Sequence, residues 1–272
     1  MIANARMYAV SPEAAGRWRA LLTAIVAASG ISVDVIEHPA PAPLEALWRR
    51  TDQGAVFMCG LPFSRSVPQP VLMAAPVPSP AEYGGEPRYW SELVVRRDSG
   101  YRSVSDTFGG RLALTVPGSQ SGCVAALSFF MSAEREPPLF AEVIAPTVTP
   151  LGALSAVVRG DADIAPIDSY AFALLGRYRP DLAEQVRIVG RTTPTPIPPL
   201  VASQAGLEAL QSAFLEAHRI APMRALMHDL LLQRFARPAA ASYQVLEERF
   251  EVAARYWALH PLAKVVDPAF VL

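Results

Sequence analysis

A chain of 272 residues, 51% of them hydrophobic, holds enough apolar material for two modest α/β lobes or one large one, which excludes a disordered chain. Its 24 basic and 25 acidic side chains nearly cancel, which excludes a nucleic-acid binder that relies on a basic field. The apolar stretches are broken by Arg, Pro or Glu well short of the roughly 20 residues that a membrane-spanning helix needs.

In chain order, residues 5–10 read as a first strand. Ser11-Pro12-Glu13 starts a helix over residues 14–29, with proline in the first turn and Gly30 at the far end. Residues 31–37 alternate as a half-buried strand does. Pro39, Pro41 and Pro43 then form a stiff bridge into a short helix over 44–50. Residues 55–59 and 71–77 are apolar strands, and 89–97 is another. A helical turn is predicted at 104–107, a strand at 141–144, a helix at 150–159 closed by Gly160, and a buried strand at 162–167 ending at Asp168. Residues 170–178 read as helix and 186–191 as strand. Pro194, Pro196, Pro198 and Pro199 fall within six residues, which forbids helix and predicts an extended strap. Residues 206–236 have a helical pattern throughout, and 242–259 form one more helix.

Strands alternating with helices predict an α/β protein. Its expected form is two lobes: residues 1–90 and 195–272 as a discontinuous first lobe, and 91–194 as the second. Each lobe is expected to be a mostly parallel sheet flanked by helices, with the C-terminal tail packed on the first lobe and a ligand cleft between the lobes, where strand ends and helix N-termini gather.

The most informative stretch is RLALTVPGSQSGCVAAL at residues 111–127: a short apolar strand, a Gly/Ser loop, then a helix beginning near Cys123. Such a loop aims free N–H groups at one spot, and the helix dipole favours an anion there. Ser119 and Ser121 add hydroxyl donors, and Gly122 lets backbone approach a ligand closely. The same residues read equally well as a serine N-cap on an ordinary crossover. Asp168 at a strand end has two readings as well: a partner for a ligand amino group, or a helix N-cap.

No catalytic pattern stands out. Gly118–Gly122 resembles a nucleophile elbow in spacing, but its central residue is Gln120. His38, His218, His228 and His260 are scattered, Asp161 and Asp163 read as turn or cap residues, and no metal or cofactor is expected. Cys59 and Cys123 read as small buried hydrophobes, with a disulfide between them left open.

Four stretches carry a family resemblance. YWSELVVRRDS at residues 89–99, Ser119-Gln120-Ser121-Gly122, ALSAVVRGDADIAPID at 153–168 and the T-x-x-x-P-x-x-P run beginning at Thr192 occur in the order of the phosphonate-binding proteins of ABC importers, with Met7-Tyr8 and Cys59-Gly60-Leu61-Pro62 near early strand ends. The chain resembles that group of the type 2 periplasmic binding fold over residues 7 to about 201. The resemblance implies a solute-binding protein for a phosphate-like or otherwise anionic or zwitterionic ligand, with an ABC permease as partner. It implies a ligand site formed by Tyr8, Cys59, Gly60, Tyr89, Ser119, Gln120, Ser121, Gly122, Thr149 and Asp168. One departure stands out: Pro150 occupies the position of the family's usual histidine, leaving Thr149 as a neutral donor. The alternative on the same fold is a cytoplasmic enzyme or ligand sensor, of the thiamine-pyrimidine or menaquinone-precursor type. A monomer is expected, with no nucleic acid and no cofactor. The periplasm follows from the resemblance, whereas MIANARMYAV reads as a strand rather than an export leader, so the cytoplasm stays open.

Overall fold

The computed structural model describes residues 1–132 and 138–259. Contacts divide the chain into two units, one of Met1–Arg88 with Pro196–Gln244 and one of Tyr89–Thr195 with the chain from Val245 onward.

The first unit is built on a mixed sheet in the order Leu232–Ala236, Val71–Pro78, Leu200–Ala202, Gln53–Phe57, Ile2–Asn4, Asp34–Val35. Ile2–Asn4 pairs in parallel with both Gln53–Phe57 and Asp34–Val35, while Leu200–Ala202 runs antiparallel between its two neighbours and Leu232–Ala236 is an antiparallel edge. The helix Pro12–Ser29 forms where the sequence places it: Ser11 accepts the Ala14 N–H at 3.1 Å, and proline fills the first turn. Its buried face is Ala14, Trp18, Leu21, Leu22 and Ile25, a stripe of helical period that packs on the helices Glu208–Glu216 and Ala221–Asp229.

In the second unit, Ser91–Arg96 lies between Val186–Arg191 and Ala165–Asp168, antiparallel to both. Arg111–Ala113 pairs in parallel with Glu142–Ile144, and a parallel bridge from Leu112 to Ile164 joins that pair to the chain entering Ala165–Asp168. The helices Ala125–Phe130, Pro150–Arg159, Ser169–Tyr178 and Val245–Leu259 complete the unit among the described residues.

Four expectations are corrected. Residues 5–10 are not a strand; the strand is Ile2–Asn4, and Arg6–Tyr8 coils into a 3-10 turn whose ends bond as Tyr8 N to Ala5 O (3.0 Å) and Ala9 N to Arg6 O (3.1 Å). Residues 206–236 do not stay helical: Leu232–Ala236 is a strand, drawn by pairing with Val71–Pro78. The sheets are mixed rather than mostly parallel, because returning strands insert antiparallel to their neighbours. The C-terminal helix belongs to the second unit, where the Ser128 hydroxyl donates to Arg249 O at 2.8 Å; the tail beyond residue 259, with His260, lies outside the described residues.

Candidate functional site

Three adjacent strands of the second unit end side by side, and a helix begins just beyond each. Every one of these helices is capped by a side chain. Ser119 accepts the Gly122 N–H at 3.2 Å, Thr149 accepts the Gly152 N–H at 3.0 Å, and Asp168 accepts the Ala171 N–H at 2.9 Å. The structure thus brings three sequence-selected residues to one end of one sheet, as N-caps in each case. A hydroxyl that accepts a cap bond still holds its own O–H to donate outward; a carboxylate holds only lone pairs. Two ends therefore favour an anion, and the Asp168 end carries negative charge of its own.

The Ser119 turn has an unusual shape. Val124 N bonds Ser119 O at 2.9 Å, giving one turn of π-helix over Gln120–Val124 before the α-helix starts at Ala125. Gly122 explains how this turn closes. A Cβ there would stand 2.0 Å from Thr115 Oγ1, and Thr115 N donates to Gly122 O at 3.1 Å. Gly122 is therefore required for the loop to fold against its own strand; the expectation of close ligand approach gives way to this nearer cause. Gln120 is wholly buried inside the turn, whereas Ser119 and Ser121 are half-buried at its rim. The Ser121 N–H belongs to a first turn, whose amides have no acceptor within the helix.

The Thr149 end is held by strain and stitching. Val148 has φ 64°, a left-handed conformation that costs a β-branched residue about 1–3 kcal/mol, and the turn is closed by Thr149 N to Thr147 O at 2.7 Å. Thr147 in turn donates through both N (2.9 Å) and Oγ1 (3.0 Å) to Leu114 O, tying this loop to the chain that enters the Ser119 turn. Gly152 is packed so tightly that a Cβ would fall 2.1 Å from Thr147 O. Pro150 sits at the first helical position, where a missing N–H costs nothing.

Tyr89 is buried in the strand Arg88–Tyr89, just before Ser91–Arg96, which neighbours the Asp168 strand. Beside it, Trp90 and Ser91 form a network that sequence reading did not single out. Ser91 Oγ donates to Ser121 O at 2.7 Å, Ser91 N to Thr192 Oγ1 at 2.9 Å, and Trp90 N to Ser169 Oγ at 3.2 Å. The buried Glu92 carboxylate takes the Trp90 indole N–H at 2.8 Å and Arg191 Nε at 2.9 Å, with the guanidinium 5.5 Å from the Trp90 ring centroid. The alternation of YWSELVV carries this pattern, with Trp90 and Glu92 on one face of the strand and Ser91 on the other.

The remaining selected residues lie in the first unit. Tyr8 and Cys59 follow the ends of two parallel neighbours, Ile2–Asn4 and Gln53–Phe57. The Tyr8 ring meets Phe57 edge-on at 5.1 Å and lies 6.3 Å from Trp18, so these ends form an aromatic cluster. Cys59 precedes the helix Gly60–Arg65 without a side-chain cap bond, and the two cysteines form no disulfide with each other. Burial pushes the Cys123 thiol far above its ordinary range. Asp163 is absorbed by Arg111, bonding its N at 2.8 Å and its guanidinium at 3.2 Å, and Asp161 pairs with Arg159 at 2.7 Å.

An α/β chain of two units, one carrying a row of capped helix N-termini at its strand ends, has the architecture of the type 2 periplasmic binding proteins. The sequence matches the family model of the ABC transporter phosphonate periplasmic substrate-binding proteins over residues 9–243, and the chain belongs to that family. It is similar in fold to a binding protein component of an ABC phosphonate transporter from Pseudomonas aeruginosa, at 17% identity and TM-score 0.76, covering 94% of this chain and 88% of that one. PhnD1 from Prochlorococcus marinus, solved in complex with methylphosphonate, matches at 14% identity and TM-score 0.73, covering 92% and 96%. A Xanthomonas citri protein bound to chloride ion matches at 18% identity and TM-score 0.62, covering 95% and 98%. These likenesses establish the fold. No curated protein sequence matches.

Membership supports a solute-binding role: the family consists of substrate-binding components of ABC transporters rather than of enzymes, and it is periplasmic. Among the described residues no helix is long and apolar enough to cross a membrane.

Proposed function

We propose that this protein captures a small anionic or zwitterionic solute for ABC-type uptake, and that the second unit holds the charged head. The observation that carries this reading is the row of three capped helix starts, two with neutral hydroxyls and one with a carboxylate. The anion rests at the Ser119 and Thr149 ends, on first-turn N–H groups including that of Ser121 and on the two outward O–H groups. Asp168 faces an ammonium when the solute carries one, which makes zwitterions better ligands than plain anions of the same size. Tyr89 gives an aromatic wall with a phenolic tip. An ABC permease receives the loaded protein.

Pro150 gives no donor where the family usually has histidine, so the ligand's head is held by neutral groups alone at that end. Weakly hydrated or singly charged heads suit such a site better than a fully charged phosphate, whose desolvation is costlier. A thermal-shift series checks this with methylphosphonate, 2-aminoethylphosphonate, inorganic phosphate, phosphite, methanesulfonate and acetate. A true ligand at 100 times its dissociation constant adds about 2.7 kcal/mol and raises Tm visibly. The reading expects a phosphonate, phosphite or sulfonate to stabilise more than inorganic phosphate, and the amino-bearing phosphonate to exceed methylphosphonate. Silence across the panel would count against an anion site.

A further inference from the structure

The helix Val245–Leu259 lies beyond the span that matches the family, which ends at residue 243, yet it packs on the turn and helix that follow Ser119. Its buried residues Leu246, Ala253 and Tyr256 repeat at helical spacing toward that surface, and burial pushes the Tyr256 hydroxyl up to about 12. Ser128, two turns along from Ser121, donates to Arg249 O at 2.8 Å and fixes the register of the two helices.

Arg249 is the residue whose chemistry exceeds packing. Its Nη1 donates to Thr193 O at 2.9 Å and its Nη2 to Pro194 O at 3.2 Å. Burial lowers its pKa, so the guanidinium is a partly desolvated cation. A guanidinium fork spans two successive carbonyls; no other cationic side chain has that geometry. Pro194 has no N–H to donate, so this part of the strap gains a partner through its carbonyls. One residue before Thr193, Thr192 accepts Ser91 N, and Ser91 Oγ holds Ser121 O in the Ser119 turn. An unbroken chain of bonds therefore runs from Arg249 through the strap and Ser91 to the turn.

We propose that the C-terminal helix is a clamp on the site end of the second unit, and that Arg249 is its positioning residue, holding Thr193 and Pro194 so that Ser91 and the Ser119 turn keep their places. The clamp is local to this unit and needs no ligand to exist. Its effect on binding rests on the reading given above for the Ser119 end.

Hydrogen exchange on the full-length protein tests it, comparing wild type with Arg249→Met and Arg249→Lys. Methionine keeps the stem's packing and removes both donors; lysine keeps the charge and can reach one carbonyl at a time. The expected result is at least tenfold faster exchange at the Ser91 and Thr192 amides in Arg249→Met, a smaller rise in Arg249→Lys, and unchanged exchange in the helix Pro150–Arg159. Unchanged exchange at Ser91 and Thr192 in Arg249→Met would overturn the clamp. Loss of protection across the whole of Val245–Leu259 would overturn it too, since Arg249 would then be holding the helix rather than the strap. A second arm titrates methylphosphonate by calorimetry, where at least tenfold weaker binding is expected for Arg249→Met. Wild-type protein that ignores methylphosphonate would count against the ligand reading, while the exchange data still judge the clamp by themselves.

Discussion

At the strand ends of the first unit, Tyr8, Trp18 and Phe57 pack ring against ring, and the helix at Gly60 starts without a side-chain cap. At the strand ends of the second unit, three helices start in a row on a serine, a threonine and an aspartate. The two units share a mixed-sheet architecture, yet the first sets an aromatic cluster beside its Ser11 cap, whereas the second has three capped helix starts in a row. Under the proposed function, hydrogen-bond recognition of the ligand belongs to the second unit.

Breaking the first unit's cluster has the largest expected effect. Trp18 is the largest fully buried side chain in the described structure, and Trp18→Ala is expected to cost about 3–5 kcal/mol in chemical denaturation. Next comes Gly122→Ala, whose Cβ must displace the buried Thr115 side chain from 2.0 Å. A loss of about 1–3 kcal/mol is expected, together with lost ligand response, because the same shift re-aims the turn's N–H groups. A stability loss without any change in binding would divorce the turn from recognition.

Alkaline pH sharpens the picture at a smaller scale. Burial raises the folded-state pKa of Cys123, Tyr243 and Tyr256, with Tyr256 at about 12. Groups raised in the folded state deprotonate first in the unfolded chain. Their stabilisation is therefore whole below the unfolded values, about 8.5 for the thiol and about 10 for the phenols. It falls by about 1.4 kcal/mol per pH unit per group above them. Stability measured from pH 7 to pH 10.5 should bend downward near pH 8.5, and Cys123→Ala should remove that first bend. Smaller again is Asp168→Ala, expected to cost about 1 kcal/mol as a lost N-cap and to abolish any preference for 2-aminoethylphosphonate over methylphosphonate. Equal preference in wild type and variant would assign Asp168 to capping alone.

Much of this was legible in the sequence where the signal is local. Ser11-Pro12 set the start of the helix Pro12–Ser29, and the strand, Gly/Ser loop and helix around Ser119 formed where the residue types demanded them. Asp168 as a cap could be read from its place before a helical run, whereas Thr149 read only as a neutral donor and proves to be a cap as well. What was not legible depends on distant partners. Leu232–Ala236 has a pattern that serves a helix equally well, and only its neighbour Val71–Pro78 makes it a strand. The C-terminal helix has an apolar stripe that names no surface; the bonds from Ser128 to Arg249 and from Arg249 to Thr193 choose the second unit. Sheet direction was hidden for the same reason, since antiparallel insertion of Leu200–Ala202 is a matter of topology. Within the site, Ser91 and Thr192 escaped notice because each acts through backbone groups far away in the chain.

The most direct test of the central claim separates capping from recognition at the two hydroxyl ends. Glycine caps a helix to within a few tenths of a kcal/mol of serine or threonine but offers no hydroxyl. Ser119→Gly and Thr149→Gly should therefore keep Tm close to that of wild type. Calorimetric titration with the best ligand from the thermal-shift series is the measurement. The account predicts at least tenfold weaker binding for each variant and more for the pair. Wild-type affinity in both variants would contradict it, leaving Ser119 and Thr149 as helix caps with no part in holding the solute.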